Sequence, residues 1–176
     1  MSDARACCSQ FWLRKLHSLT GFLFLGYFLC LHVRESGASY GSTALRVLFL
    51  YLPLLFHGLY GCYIAWEART NLVRYPWVRN GMYAAQRLTG LVLVPFVLLH
   101  LGAVLWGAGY ADAGWFLAVW YAGLVLAVFH LANGLFGTCI DWGITVGPHS
   151  QRVLVGVSFL AFFVLSAYGV YTLARW

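Results

Sequence analysis

The sequence predicts an all-α membrane protein, a bundle of five transmembrane helices. The first observation is composition: 62% of the 176 residues are hydrophobic and 9% are charged, whereas soluble domains are about 45–50% apolar and about 25% charged. The second is the grouping of apolar residues into long runs, since a membrane-spanning helix needs roughly 20 of them. The third is the position of the basic residues, which lie at the ends of these runs.

The apolar runs occupy residues 12–33, 46–66, 82–106, 115–138 and 153–174. They use most of the chain, so we expect a single transmembrane domain over residues 1–176. The first run is too long for a signal peptide and lacks a small-residue cleavage pattern, so it is predicted to be a retained helix. The five cysteines are an odd number and form no metal-binding pair, which favours reduced thiols over a disulfide framework.

Basic residues predict the topology, because Lys and Arg remain on the cytoplasmic side of a membrane. They precede the first helix, follow the second and follow the fourth: Arg5, Arg14, Lys15, Arg69, Arg74, Arg79 and Arg152. The loop after the third helix has Asp112 and no Lys or Arg. The N-terminus is therefore expected in the cytoplasm and the C-terminus outside. The net charge of +6 is a topology signal and gives no support to a nucleic-acid partner.

Four histidines lie within the predicted helices, one on each of helices 1 to 4: His32, His57, His100 and His130. An unpaired polar group in hydrocarbon costs several kcal/mol, so an intramembrane histidine indicates function. Each could instead bond a neighbouring helix. Four on successive helices, with hardly any carboxylates to pair with, favour axial ligation of haem iron. Two imidazoles on one iron suit electron transfer, and four histidines predict two haems.

Helices 2 and 4 share a pattern around their histidines. Helix 2 reads FHGLYG and helix 4 reads FHLANG, so both have the form F-H-x-x-x-G. Positions i and i+4 share a helix face, so Gly61 and Gly134 should leave a notch one turn from His57 and His130. We expect a porphyrin ring to lie against each notch, although close helix packing also uses such glycines.

Helices 1 and 3 share a Leu-Thr-Gly motif, at Leu19–Gly21 and Leu88–Gly90. Each motif is followed about ten or eleven residues later by a histidine. At about 1.5 Å per residue, these histidines reach similar heights near the outer side. The other two histidines lie deeper. The sequence therefore predicts two pairs of iron ligands at matching depth: His32 with His100, and His57 with His130.

A second polar cluster lies at the inner helix ends. Most of these residues are expected to be interfacial anchors and helix caps. Some have the donors that suit an anionic haem propionate or a quinone headgroup. The candidates for such cofactor binding are His17, Ser18, Gln86 and Arg87.

The runs RKLHSLTG, QRLTG, FHLANGLFG and DWGITVGPHSQR together resemble the five-helix, two-haem cytochrome b subunit of succinate dehydrogenase, which is related to fumarate reductase anchors. The resemblance covers the chain from about residue 11 to 171. It implies a multi-pass protein of the bacterial cytoplasmic membrane that anchors a flavoprotein subunit and an iron–sulfur subunit. The dicarboxylate chemistry would reside in a partner subunit, so no catalytic residue is expected here.

The resemblance also implies an order of electron transfer. Electrons from succinate would pass through iron–sulfur clusters to the inner haem of His57 and His130. They would then reach the outer haem of His32 and His100 and reduce a quinone, usually menaquinone in this family. Positions matching His17, Ser18 and Gln86 lie by the inner haem's propionates or nearby in that family.

Two other interpretations remain open from the sequence. One is a different two-haem membrane cytochrome, similar to cytochrome b561 or the anchor of another dehydrogenase. The other is a haem-free helical bundle that only tethers other proteins. Copurification of a flavoprotein with an iron–sulfur protein would favour succinate dehydrogenase, and a colourless protein would favour the tether.

Overall fold

The computed structural model describes residues 2–33, 42–68, 73–74, 78–106 and 114–174. Within them, residues 2–9, 28–33, 78 and 104–106 are described by their backbone alone. All regular structure in these ranges is helical, in agreement with the predicted all-α class.

Within these ranges, six α-helices follow one another, with a π-helical segment at Val47–Tyr51 between the second and third. They are α1 (Ser2–Val33), α2 (Thr43–Arg46), α3 (Leu52–Glu67), α4 (Val78–Trp106), α5 (Gly114–Asp141) and α6 (Pro148–Leu173). Because α2, the π-helical segment and α3 are continuous, the described chain contains five long helical stretches. Each overlaps one predicted run.

Four of these stretches, within the described residues, are long and apolar enough to cross a membrane. They are Thr43–Glu67, Arg79–Ala103, Gly114–Asp141 and Pro148–Leu173. Helix α1 contains the predicted first run, residues 12–33, but is not among these four. A membrane crossing by α1, and the predicted sides of the two termini, therefore stay predictions.

The π-helical segment ends at Tyr51, two residues before Pro53. Proline has no backbone N–H, so Pro53 cannot donate to the carbonyl of Phe49 four residues earlier. The chain accommodates this with a wider turn, in which the N–H of Leu52 donates to the carbonyl of Val47. Such π-helical turns are rare and often lie near functional residues. His57 follows Pro53 by about one turn.

The chain divides into two compact units, Met1–Trp66 and Glu67–Trp176. In the first unit, α1 packs against the π-helical segment, with the rings of Tyr27 and Phe49 stacked at 6.2 Å. The expectation of a single domain over residues 1–176 stays a prediction.

In the second unit, α5 packs between α4 and α6. Small residues let these helices approach closely, as is usual within membranes. The ring of Phe96 on α4 occupies the place that a Cβ at Gly123 would take, and a Cβ at Gly169 would lie 2.8 Å from Leu124 Cδ2. The α5 residues Ala132 and Asn133 are buried in this unit. The contacts at Gly123 and Gly169 hold α5, which carries His130, against α4 and α6.

The turn between α5 and α6 depends on two glycines with positive φ. Gly143 has φ 69° and Gly147 has φ 92°, a conformation that costs other residues energy. Pro148 then begins α6, where its missing N–H is not needed. This turn sets the start of α6 and the position of Ser150, whose hydroxyl donates to the Val146 carbonyl at 2.9 Å.

Candidate haem-binding site

His57 on α3 lies against α1 within the first unit. Its Nδ1 is 2.8 Å from the carbonyl oxygen of His17. The two imidazoles are stacked, with ring centroids 4.0 Å apart and planes at 8°. A carbonyl oxygen can only accept, so Nδ1 carries the hydrogen and Nε2 keeps its lone pair. That is the form in which a histidine binds a metal while its other nitrogen is held by a carbonyl.

Gly21, of the Leu-Thr-Gly motif on α1, makes room for the His57 ring. A Cβ at Gly21 would lie 2.6 Å from Cε1 and 2.8 Å from Nδ1 of His57. Atoms in proteins do not pack at such distances, so this position requires glycine unless the imidazole moves. From the sequence alone, this motif predicted only the height of His32 along its helix. Its repetition on helix 3 was the signal that could have indicated a contact with the deeper histidine.

His130 on α5 lies against α4 in a similar way within the second unit. Its Nδ1 is 3.0 Å from Thr89 Oγ1, and its Nε2 is 3.2 Å from Gln86 Nε2. Gln86 Nε2 also donates to the His130 carbonyl at 3.0 Å. Asn133 Nδ2 donates to Gln86 Oε1 and to the Met82 carbonyl, both at 2.8 Å. The side chains around His130 are therefore connected by hydrogen bonds.

Gly90, the glycine of the second Leu-Thr-Gly motif, lies against His130. A Cβ there would be 3.0 Å from Cε1 of the imidazole. Gly21 and Gly90 thus make equivalent contacts in the two units. Each is the close-approach point at which a helix carrying Leu-Thr-Gly meets the histidine of F-H-x-x-x-G.

The notches at Gly61 and Gly134 face side chains of the opposite helix in each unit. A Cβ at Gly61 would lie 3.0 Å from His17 Cε1, and one at Gly134 would lie 3.0 Å from Gln86 Nε2. The paired helices are antiparallel, so the residue four before each Leu-Thr-Gly glycine meets the residue four after each histidine. The two notches therefore accommodate the side chains of His17 and Gln86, whereas a porphyrin ring was predicted there.

His100 and His32 are the two histidines predicted to bind the outer haem. His100 on α4 lies against the Trp120 ring, with centroids 4.8 Å apart and planes at 62°. His32 belongs to the part of α1 whose side chains lie outside the described residues. His57 and His130 belong to different units. The pairings of His57 with His130 and of His32 with His100 therefore stay predictions.

The four inner-face candidates separate into two kinds. His17 and Gln86 contact the deeper histidines directly. Ser18 donates its hydroxyl to the Lys15 carbonyl at 2.8 Å, and Arg87 donates to the Tyr83 carbonyl at 3.1 Å. The Arg87 guanidinium also lies over the Tyr83 ring, 3.2 Å from its centroid. Ser18 and Arg87 are thus held by their own helices. Because α1 begins at Ser2 and α4 at Val78, both residues lie inside a helix, and the predicted position at helix ends is wrong for them.

Among the described residues, no three His, Cys, Asp or Glu side chains come together as a site for a free metal ion. A haem does not need such a group, because the porphyrin supplies four nitrogens and the protein only the axial ligands. Two imidazoles whose Nδ1 is hydrogen-bonded, so that Nε2 has the lone pair, are donors of the right chemistry. The described residues therefore fit haem ligation and give no support to a bare-ion site.

Comparison with known proteins identifies the family of the chain. The family described as the transmembrane subunit of succinate dehydrogenase and fumarate reductase matches residues 67–169. The chain belongs to this family. It is also 31% identical, over 92% of its length and 94% of the relative's, to the succinate dehydrogenase cytochrome b558 subunit of Bacillus subtilis (strain 168). No solved structure matches it.

Membership of the succinate dehydrogenase family confirms the resemblance deduced from the sequence. With its long apolar helices, the chain is a multi-pass protein of the bacterial cytoplasmic membrane and a subunit of an enzyme complex. The family match contains α4 and α5, which carry Gln86, His100 and His130. The similarity to the Bacillus subunit extends over most of the chain and so also reaches the first unit.

Proposed function

We propose that this chain is the membrane anchor and electron-transfer subunit of a succinate dehydrogenase. It would pass electrons between a cytoplasmic iron–sulfur subunit and membrane quinone through two b-type haems. One observation supports this most directly: both units place a histidine against a Leu-Thr-Gly glycine, with Nδ1 engaged by the facing helix. A structural histidine in one unit would need no counterpart in the other.

The proposed ligands of the inner haem are His57 and His130, and those of the outer haem are His32 and His100. A haem held by two imidazoles supplies one-electron transfer and has no open position for a substrate. The chain's own contribution is orientation. The His17 carbonyl holds the His57 ring by Nδ1, and Thr89 holds the His130 ring in the same manner.

The inner-face residues are proposed to contact anionic or carbonyl groups. The guanidinium of Arg87 has donors beyond the one used for the Tyr83 carbonyl, and the Ser18 hydroxyl could donate to a propionate or a quinone carbonyl in place of the Lys15 carbonyl. The quinone is proposed to be menaquinone, as the family resemblance implies. The proposed partners are a flavoprotein subunit, which would carry the dicarboxylate chemistry, and an iron–sulfur subunit on the cytoplasmic face.

The first test is haem content per chain, measured by pyridine haemochrome on the purified complex, together with a reduced-minus-oxidised spectrum. We expect two b-type haems. His57→Ala and His130→Ala should each remove one haem, and it should be the same one. His149→Ala is the matched control, because His149 is exposed at the start of α6 and should leave both haems bound.

Three results would contradict the proposal. A colourless complex would make the chain a tether, and a single haem would make one histidine pair structural. Removal of different haems by the two variants would refute the pairing. Copurification of the flavoprotein and iron–sulfur subunits, with succinate-driven quinone reduction, tests the partners separately from the haems.

A further inference from the structure

Only one assignment of donors and acceptors fits the hydrogen bonds around His130, and the Met82 carbonyl determines it. That oxygen can only accept, so the Asn133 atom 2.8 Å from it is the amide nitrogen. The same nitrogen uses its second hydrogen for Gln86, 2.8 Å away. The Gln86 atom that receives it must be Oε1. The orientations of both amides, which are often ambiguous, are thereby fixed.

The donor and acceptor roles of the His130 imidazole follow from those of Gln86. Gln86 Nε2 can only donate, and it is shared between the His130 carbonyl at 3.0 Å and His130 Nε2 at 3.2 Å. Nε2 therefore accepts, and the ring hydrogen is on Nδ1. Thr89 Oγ1, 3.0 Å away, must accept this hydrogen, and it donates its own to the Ala85 carbonyl at 2.8 Å. Each donor in the network then has an acceptor.

We propose that Thr89 and the Gln86–Asn133 amide pair are positioning residues that fix which nitrogen of His130 presents its lone pair to iron. This inference rests on the proposed function, in which His130 is a haem ligand. Gln86 Nε2 has the His130 carbonyl as a partner, so its amide stays bonded when the Nε2 lone pair goes to iron. Thr89 keeps Nδ1–H in either case, and an acceptor there makes the imidazole a more basic ligand.

The first unit supplies a built-in comparison. Thr20 occupies the same place in its Leu-Thr-Gly motif as Thr89. Its hydroxyl donates to the carbonyls of Leu16 at 2.9 Å and His17 at 3.0 Å. His57 Nδ1 uses the His17 carbonyl directly. The acceptor for one ligand is thus a backbone atom, while that for the other is a side chain that a substitution can remove.

The test is a redox titration of both haems in the purified holo-complex carrying Thr89→Val, which keeps the side-chain shape and removes the acceptor. A less basic imidazole favours ferric iron less, so the potential of one haem should rise. A tenfold change in that preference, at the low end for loss of such a partner, corresponds to about 59 mV for one electron. The affected haem should be the one that His130→Ala removes.

Two matched variants complete the experiment. Thr89→Ser keeps a hydroxyl and should restore the original potential. Thr172→Val removes a hydroxyl on α6 that donates to the Gly169 carbonyl at 2.9 Å, and it should leave both potentials unchanged. If Thr89→Val yields too little complex, Thr89→Ala against Thr89→Ser makes the same comparison. Unchanged potentials in the Thr89 variants without the hydroxyl, or an equal shift in Thr172→Val, would overturn the inference.

The outcome separates this inference from the proposed function. If His130→Ala retains both haems, His130 is not a ligand and the proposed function fails at that residue. If His130→Ala removes one haem but loss of the Thr89 hydroxyl shifts neither potential, only the positioning role fails.

Discussion

The carbonyl oxygen of His17 accepts from Nδ1 of His57 at 2.8 Å while the two rings stack 4.0 Å apart. One residue therefore acts on the candidate ligand through its backbone and through its side chain. The backbone contact sets which nitrogen carries the hydrogen, and the ring contact holds the plane. A substitution at His17 removes the second contact and leaves the first.

His17→Ala should therefore retain both haems with a less stable first unit. Loss of an aromatic contact of this kind costs about 0.5–1.5 kcal/mol. The measurement is haem content per chain together with thermal unfolding of the detergent-solubilised complex. His17→Phe keeps a ring and should recover part of the loss. Complete loss of one haem in His17→Ala would mean that the ring, and not the carbonyl, holds His57 in place.

Gly21→Ala should lower haem content more than Gly90→Ala. The added Cβ would lie 2.6 Å from His57 Cε1 in the first case and 3.0 Å from His130 Cε1 in the second. The imidazole must move by more when the contact is shorter, so its Nε2 is displaced further. Haem per chain, measured in complexes prepared in parallel, checks the order.

Gly26→Ala and Gly58→Ala serve as controls for those two variants. Gly26 is on α1 and Gly58 follows His57 on α3, and a Cβ at either position meets nothing within 4 Å. Both should retain normal haem content, because alanine also has the higher helix propensity. A loss of haem in the controls equal to that in Gly21→Ala would indicate a general sensitivity of these helices to glycine replacement.

The helices themselves could be predicted because long apolar runs leave little alternative in a membrane. The run at 115–138 became α5, Gly114–Asp141, and the run at 153–174 became α6, Pro148–Leu173. Both helices begin before their apolar runs, and α5 also ends after its run, because the apolar pattern does not define where a helix ends. The sequence could not predict that the turn before Pro53 is π-helical, because a missing N–H can be accommodated either by a kink or by a wider turn.

The sequence indicated candidate residues for the site but could not predict their contacts. His57 and His130 stood out as polar groups in apolar runs, and Gly61 and Gly134 stood out by spacing. Which surface each glycine faces depends on the register of the opposite helix, and a helical wheel of one segment does not contain that information. For the same reason the contact of Gly21 with His57 was missed.

Asn133→Leu should destabilise the second unit by removing the donor to Met82 and Gln86. Leaving buried acceptors without a donor costs about 1–3 kcal/mol, and Asn133 is buried on α5. Thermal unfolding of the complex should report this loss. Asn133→Gln, which keeps the amide on a longer chain, is the conservative comparison. Equal stability of Asn133→Leu and the unmodified complex would show that the amide adds nothing to this helix pair.

Gly123→Ala should destabilise the packing of α4 against α5 without changing haem potentials. The Phe96 ring occupies the space of the new Cβ, and overpacking of this kind costs about 1–3 kcal/mol. Gly137 lies on the same helix, and a Cβ there would have nothing within 4 Å. Gly137→Ala should therefore leave the stability unchanged. The measurement pairs thermal unfolding with a redox titration. A shift in potential in Gly123→Ala, at normal haem content, would mean that the α4–α5 contact at Phe96 reaches a haem ligand. Phe96 lies 6.4 Å from His100 by ring centroids, which makes His100 the residue to examine in that case.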